Sequence, residues 1–165
     1  MRDLYKEEKE MYPHVCSWLE KILRMKFRDA KISVADTSKK VLSKWLFEKG
    51  HHEHLKDYST YEIEVDITGV VESEKTELAF VECKLNKITL RDLSQLLGYS
   101  KVALPLLSII VSPKGISDSM NLLFNISRRN DVLYYASNRH IVIGKWDGTR
   151  KEIDPYSMIP KGHHF

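Results

Sequence analysis

The sequence predicts an α/β fold, three layers in the order α/β/α around a central mixed sheet, and three observations carry that prediction. Segments of helical periodicity alternate along the chain with segments of strand periodicity. One strand-like segment, residues 106–112, is an apolar run without charged residues, as expected of a central strand covered on both faces. No linker-like stretch and no internal repeat breaks the alternation, so the 165 residues read as one domain, long enough to bury a core without disulfide or metal staples.

The elements follow in order. Met11, Tyr12, Val15, Cys16, Trp18, Leu19, Ile22 and Leu23 recur three and four residues apart, which predicts a helix with one buried face over residues 4–27, bent or restarted at Pro13. Lys31–Asp36 reads as a short strand, and residues 39–48 as a helix with Val41, Leu42, Trp45 and Leu46 inward, ended by Gly50. A polar loop leads to residues 61–71, where Tyr61, Ile63, Val65 and Ile67 alternate with Glu62, Glu64, Asp66 and Thr68 as in a half-buried strand. A short turn then gives a second strand over residues 76–85, with Leu78, Phe80, Glu82 and Lys84 on one side and Ala79, Val81 and Cys83 on the other.

Thr89 with Asp92 three residues on forms a capping-box-like start for a helix over Leu90–Ala103, whose stripe is Leu93, Leu96, Leu97 and Leu104, and Pro105 stops it. After the buried strand come a helix over residues 116–130, strands over 132–136 and 140–146, and a tail, 147–165, that reads as irregular.

Composition excludes several classes. Hydrophobic residues at 42%, charged residues at 30%, seven Gly and five Pro rule out disordered and collagenous chains. A net charge of +3 tolerates a polyanionic partner without requiring one. Cys16 and Cys83 have neither zinc nor redox-pair spacing and read as reduced core thiols. No apolar run is long enough to span a membrane and the charged N-terminus lacks a signal-peptide core, so a cytoplasmic protein with no membrane partner and no organic cofactor is expected.

The chemistry concentrates in one place. Glu82 and Lys84, two residues apart, project from the same face of an otherwise apolar strand, where an unpaired charge is costly. If the two strands form a hairpin, Asp66 points to the same side, giving two carboxylates and an ammonium around one small volume. Mg²⁺ takes one or two carboxylates plus water and phosphate oxygens, and a neighbouring Lys orients water or offsets charge on phosphorus. An acidic residue two before a Lys occurs three times here, at Glu7/Lys9, Asp29/Lys31 and Glu82/Lys84, and only the last lies in an apolar strand that follows an Asp-bearing one.

Glu64-Val65-Asp66 followed by Val81-Glu82-Cys83-Lys84 resembles the PD-(D/E)xK nuclease superfamily, with Val65 where the name expects Pro. The order helix, three strands, helix, strand over about residues 4–112 is similar to that superfamily's restriction-endonuclease-like core, with the helix at 39–48 as an insertion and 113–165 as C-terminal additions. Gln95 and Tyr99, four apart on the following helix, resemble a feature of the RecB-like branch; their face, opposite the leucines, looks either into a substrate cleft or into water. The superfamily often turns a first-helix Glu toward the metal. Among Glu7, Glu8 and Glu10 the helical wheel selects Glu8, within roughly 20° of the centre of the apolar stripe.

The resemblance implies a Mg²⁺- or Mn²⁺-dependent deoxyribonuclease. Asp66, Glu82, the Cys83 carbonyl and Glu8 would hold the ion, Lys84 would position or polarise the attacking water, and Gln95 and Tyr99 would align DNA, leaving 5′-phosphate and 3′-hydroxyl ends. Lys87 and Arg91 are the phosphate contacts nearest Lys84, and cutting both strands of a duplex favours a homodimer. Glu62 and Glu64 are secondary metal candidates, and His51, His52, Glu53 and His54 read as a polar loop. Two other readings stand beside this one: a non-catalytic nucleic-acid-binding or assembly module on the same fold, and an unrelated α/β protein whose Glu82 and Lys84 form a structural ion pair.

Overall fold

The computed structural model describes residues 3–165. Its helices are α1 (Tyr12–Lys26), α2 (Leu42–Glu48), α3 (Leu90–Ala103) and α4 (Asp118–Asn121), the last continuing into a π-turn over Leu122–Ile126. Its strands are β1 (Lys31–Asp36), β2 (Ile67–Glu72), β3 (Thr76–Cys83), β4 (Leu107–Ser112), β5 (Tyr134–Ala136), β6 (Arg139–Asp147) and β7 (Glu152–Ile153). All seven strands join one mixed sheet in the order β1-β2-β3-β4-β6-β5, with β7 also on β6. β1, β2 and β3 are antiparallel neighbours, whereas β3, β4 and β6 run parallel.

Helices cover both faces. On one, Val15, Leu19 and Leu23 of α1 pack on Ile67, Val71, Ala79, Val81, Ile109 and Val111. On the other, Leu42, Trp45 and Leu46 of α2 and Leu93 and Leu96 of α3 pack on Val70, Leu78, Phe80 and Ile110. The period-two alternation of β2 and β3 thus supplies one set of side chains to each layer. β4, wedged between two parallel neighbours, is buried at every position, which is why its sequence carries no charge and no polar–apolar alternation, and its Ser108 and Ser112 are hydrogen-bonded. Gly69 of β2 lets α1 lie close, since a Cβ there would sit 2.8 Å from Leu23 Cδ1.

Several expected boundaries move, each for a physical reason. The first helix begins at Tyr12, not near residue 4, because Pro13 is placed in its first turn, where the missing N–H costs nothing. The preceding residues make a separate 3-10 turn over Glu8–Glu10. α2 starts at Leu42 and not at residue 39. The helix expected over 116–130 loses α geometry after Asn121, and Arg128, at φ 53°, turns the chain away. Leu104 is the left-handed cap of α3 and is 49% exposed, so it leaves the leucine stripe.

The tail is more ordered than expected: β7 pairs with β6, Ile159 bridges to Ile143, and Phe165 stacks edge-on against Trp18. Both cysteines are free, with Cys83 buried. No helix among the described residues is long and apolar enough to cross a membrane.

Candidate functional site: an acid pair at the open end of the hairpin

The β2–β3 ladder ends at Ile67↔Val81, and the three residues of interest lie beyond that last pair. The segment before β2 keeps the buried–exposed alternation of its sequence but forms no strand, so the strand expected from residue 61 begins only at Ile67. Its carbonyls turn instead to the start of α2, where Leu42 N–H donates to Ile63 O (2.8 Å) and Ser43 N–H to Tyr61 O (3.1 Å). A helix start has unpaired N–H groups to satisfy, and this segment satisfies two of them. Tyr61, Ile63 and Val65 remain buried, whereas Glu62 and Glu64 are exposed and take no part in the acid site.

Asp66 is fixed from several directions. Its main-chain carbonyl accepts Thr37 N–H (2.9 Å), and the Thr37 hydroxyl, itself buried, donates to Val65 O (2.6 Å). Its carboxylate accepts the Tyr12 hydroxyl at Oδ1 (3.0 Å) and the Cys83 N–H at Oδ2 (2.9 Å). Its own N–H donates to Glu82 Oε1 (3.2 Å), so the two acids are stitched across the open end of the hairpin. Lys84 N–H faces β4, donating to Val111 O (2.8 Å), which leaves both polar groups of the Cys83 backbone on the Asp66 edge.

Burial sets the electrostatics. Glu82 is 6% exposed, and its carboxyl is pushed up to about 8 by that burial and then by the Asp66 charge, with the Asp66 N–H and Lys84 pulling the other way. Asp66 is also raised by burial, against the Cys83 N–H, the Tyr12 hydroxyl and Lys84. Burial pulls the half-buried Lys84 ammonium down, but Glu82, Glu8, Asp92 and Asp66 outweigh it, and the net displacement is upward. Its Nζ lies 3.9 Å from Asp92 Oδ1. Lys84 is therefore held as a cation, and the acid pair retains a proton at neutral pH unless another positive charge enters.

The other anticipated residues divide. Glu8 is half-buried and acts electrostatically on Lys84, Cys83 and Tyr12, whereas Glu10 turns away and accepts the N–H of Glu7 (3.0 Å). The wheel thus selects the Glu nearer the site, although Glu8 lies in the 3-10 turn before α1. Lys87 and Arg91 are exposed on the connection from β3 and at the start of α3. Gln95 Nε2 donates to Tyr99 OH (2.8 Å), and both lie further along the α3 face that begins with Asp92. His51 pairs with Glu72 and His52 packs between Phe47 and Tyr58, so the histidine loop does not converge on a point.

Two participants escaped the sequence reading. Tyr12 looked like one more member of an apolar stripe, and Asp92 like a capping residue only. Asp92 does cap, its Oδ2 accepting Thr89 N–H (2.9 Å), while its other oxygen faces Lys84. The spacing Glu8 to Tyr12, one helical turn, was the available signal for Tyr12.

Among the described residues no three His, Cys, Asp or Glu side chains gather closely enough to hold an ion by themselves. A buried and a half-buried carboxylate with a carbonyl edge are nevertheless a hard-oxygen donor set of the kind Mg²⁺ uses, with water and substrate completing its shell. No protein-family model, curated protein or solved structure matches this chain.

Proposed function

We propose that this chain is a Mg²⁺- or Mn²⁺-dependent nuclease that hydrolyses DNA phosphodiester bonds on a restriction-endonuclease-like core of the PD-(D/E)xK type. The observation that carries the reading is the meeting of Asp66 and Glu82 at the open end of the β2–β3 hairpin, beside a Lys84 held as a cation. The topology supports it, with an antiparallel hairpin followed by α3 and the parallel strand β4.

Asp66, Glu82 and the Cys83 carbonyl would hold the ion, with Glu8 beside them. The chemistry a divalent ion supplies when bound is neutralisation of phosphate charge and acidification of water. Lys84, being protonated, acts as a hydrogen-bond donor and not as a base: it orients the attacking water and offsets negative charge growing on the phosphate. Lys87 and Arg91 would contact flanking phosphates, and Gln95 with Tyr99 would align the strand. In-line displacement would leave 5′-phosphate and 3′-hydroxyl ends, and a homodimer would serve cleavage of both strands of a duplex.

The test is incubation of wild type, Asp66→Ala and Lys84→Ala with labelled duplex, single-stranded and branched DNA in Mg²⁺, in Mn²⁺ and in chelator. Metal-dependent cleavage by the wild type, lowered at least about 10²-fold in either variant (roughly 2.7 kcal/mol of barrier), is the expected result. Unchanged rates in both variants would sink the site assignment. DNA shifted equally by wild type and variants without cleavage would leave a binding module.

A further inference from the structure

Tyr12 is the first residue of α1, 8% exposed, at the point where that helix meets the acid pair. Its ring belongs to the apolar layer with Val15, Leu19 and Ile67, a place that phenylalanine would fill equally well. The hydroxyl has another use: it donates to Asp66 Oδ1 at 3.0 Å while Cys83 N–H donates to Oδ2 at 2.9 Å. A carboxylate held by one donor on each oxygen cannot rotate about its bond to Cβ without breaking one of them, and each oxygen keeps a lone pair free. Glu8 lies four residues before Tyr12 in the 3-10 turn that leads into α1, so the same approach to α1 brings an acid and a phenol toward the site.

We infer that Tyr12 is a positioning residue for the metal site: its hydroxyl fixes the Asp66 carboxylate in the orientation that presents its free lone pairs to an ion shared with Glu82. This role rests on the metal-site reading above and adds to it a residue from outside the hairpin. Partners that orient metal ligands from behind change metal affinity by about 10–100-fold when removed. The ion itself would not touch Tyr12.

The experiment is Mn²⁺ titration of the full chain, without nucleic acid, by isothermal calorimetry, comparing wild type with Tyr12→Phe. The expected result is a Kd about tenfold or more higher in Tyr12→Phe, with a similar melting temperature in chelator and cleavage restored at saturating Mn²⁺. Val15→Ala, a packing change one turn further along α1, is expected to melt earlier and keep wild-type Mn²⁺ affinity. Equal affinity in wild type and Tyr12→Phe, or an equal loss in Val15→Ala, overturns the role of Tyr12 and leaves the metal site standing. No Mn²⁺ uptake by the wild type removes the metal site itself, and this role with it.

Discussion

Glu82→Gln isolates what burial of the acid pair does to the metal-free protein. A carboxyl held at about 8 in the fold, against 4.5 in the unfolded chain, keeps its proton more readily folded than unfolded. The stability belonging to that proton is fully present below about pH 4.5 and is lost as pH rises through about 8. His163 has the opposite sign, because burial lowers it from 6.5, so folding loses stability below that pH through this group. The clean window therefore runs from 6.5 upward.

Between 6.5 and about 8 the Glu82 contribution is 1.5 pH units at 1.36 kcal/mol each, about 2 kcal/mol. In a domain of this size that corresponds to about 4–8 °C in Tm. The assay is thermal unfolding in chelator across that window. The wild type should lose stability as pH rises, whereas Glu82→Gln, with a neutral amide of the same shape, should be nearly flat and more stable than wild type at about pH 8. Saturating Mg²⁺ should restore wild type at high pH, since it binds the ionised pair, and should do little for Glu82→Gln. A wild-type Tm independent of pH in chelator, or the same slope in both proteins, would refute the claim that burial beside Asp66 holds the Glu82 carboxyl protonated.

Two further outcomes follow from the geometry. Glu8→Gln should lower metal-dependent cleavage by about tenfold or less, near 1.4 kcal/mol, in a rate assay where Glu10→Gln leaves it unchanged; a larger effect at Glu10 would show that the 3-10 turn presents the other acid. Gly69→Ala should destabilise by roughly 1–3 kcal/mol in urea unfolding, because the new methyl meets Leu23 Cδ1 in the closely packed α1–β2 contact, and a neutral result would show that Leu23 has room to move.

Much of the fold was legible because hydrophobic period reports local geometry. β1 falls where its pattern places it, as do the buried β4, the Thr89–Asp92 cap of α3 and the alternation that divides β2 and β3 between two layers. Period cannot say where a backbone finds its hydrogen bonds. Residues 61–65 alternate like a strand, yet the start of α2 takes two of their carbonyls and the ladder starts only at Ile67. The tail lacked any pattern and is nonetheless ordered on β6, since a two-residue strand and a single bridge leave no periodic trace.

The candidate site divides the same way. Glu82 and Lys84 were legible together, because two polar residues at strand spacing in an apolar run must face one side. Asp66 was placed by the hairpin, which is itself local. Tyr12 reaches Asp66 from 54 residues away, and Glu8 and Asp92 act on Lys84 from 76 and 8 residues away. Only the packing of α1 against β2 at Gly69, and of α3 beyond the end of β3, brings them there. Sequence by itself determined which side chains are costly to bury. Tertiary structure decided how they are satisfied, because the donors that hold a buried carboxylate come from whichever elements the core packing places behind it.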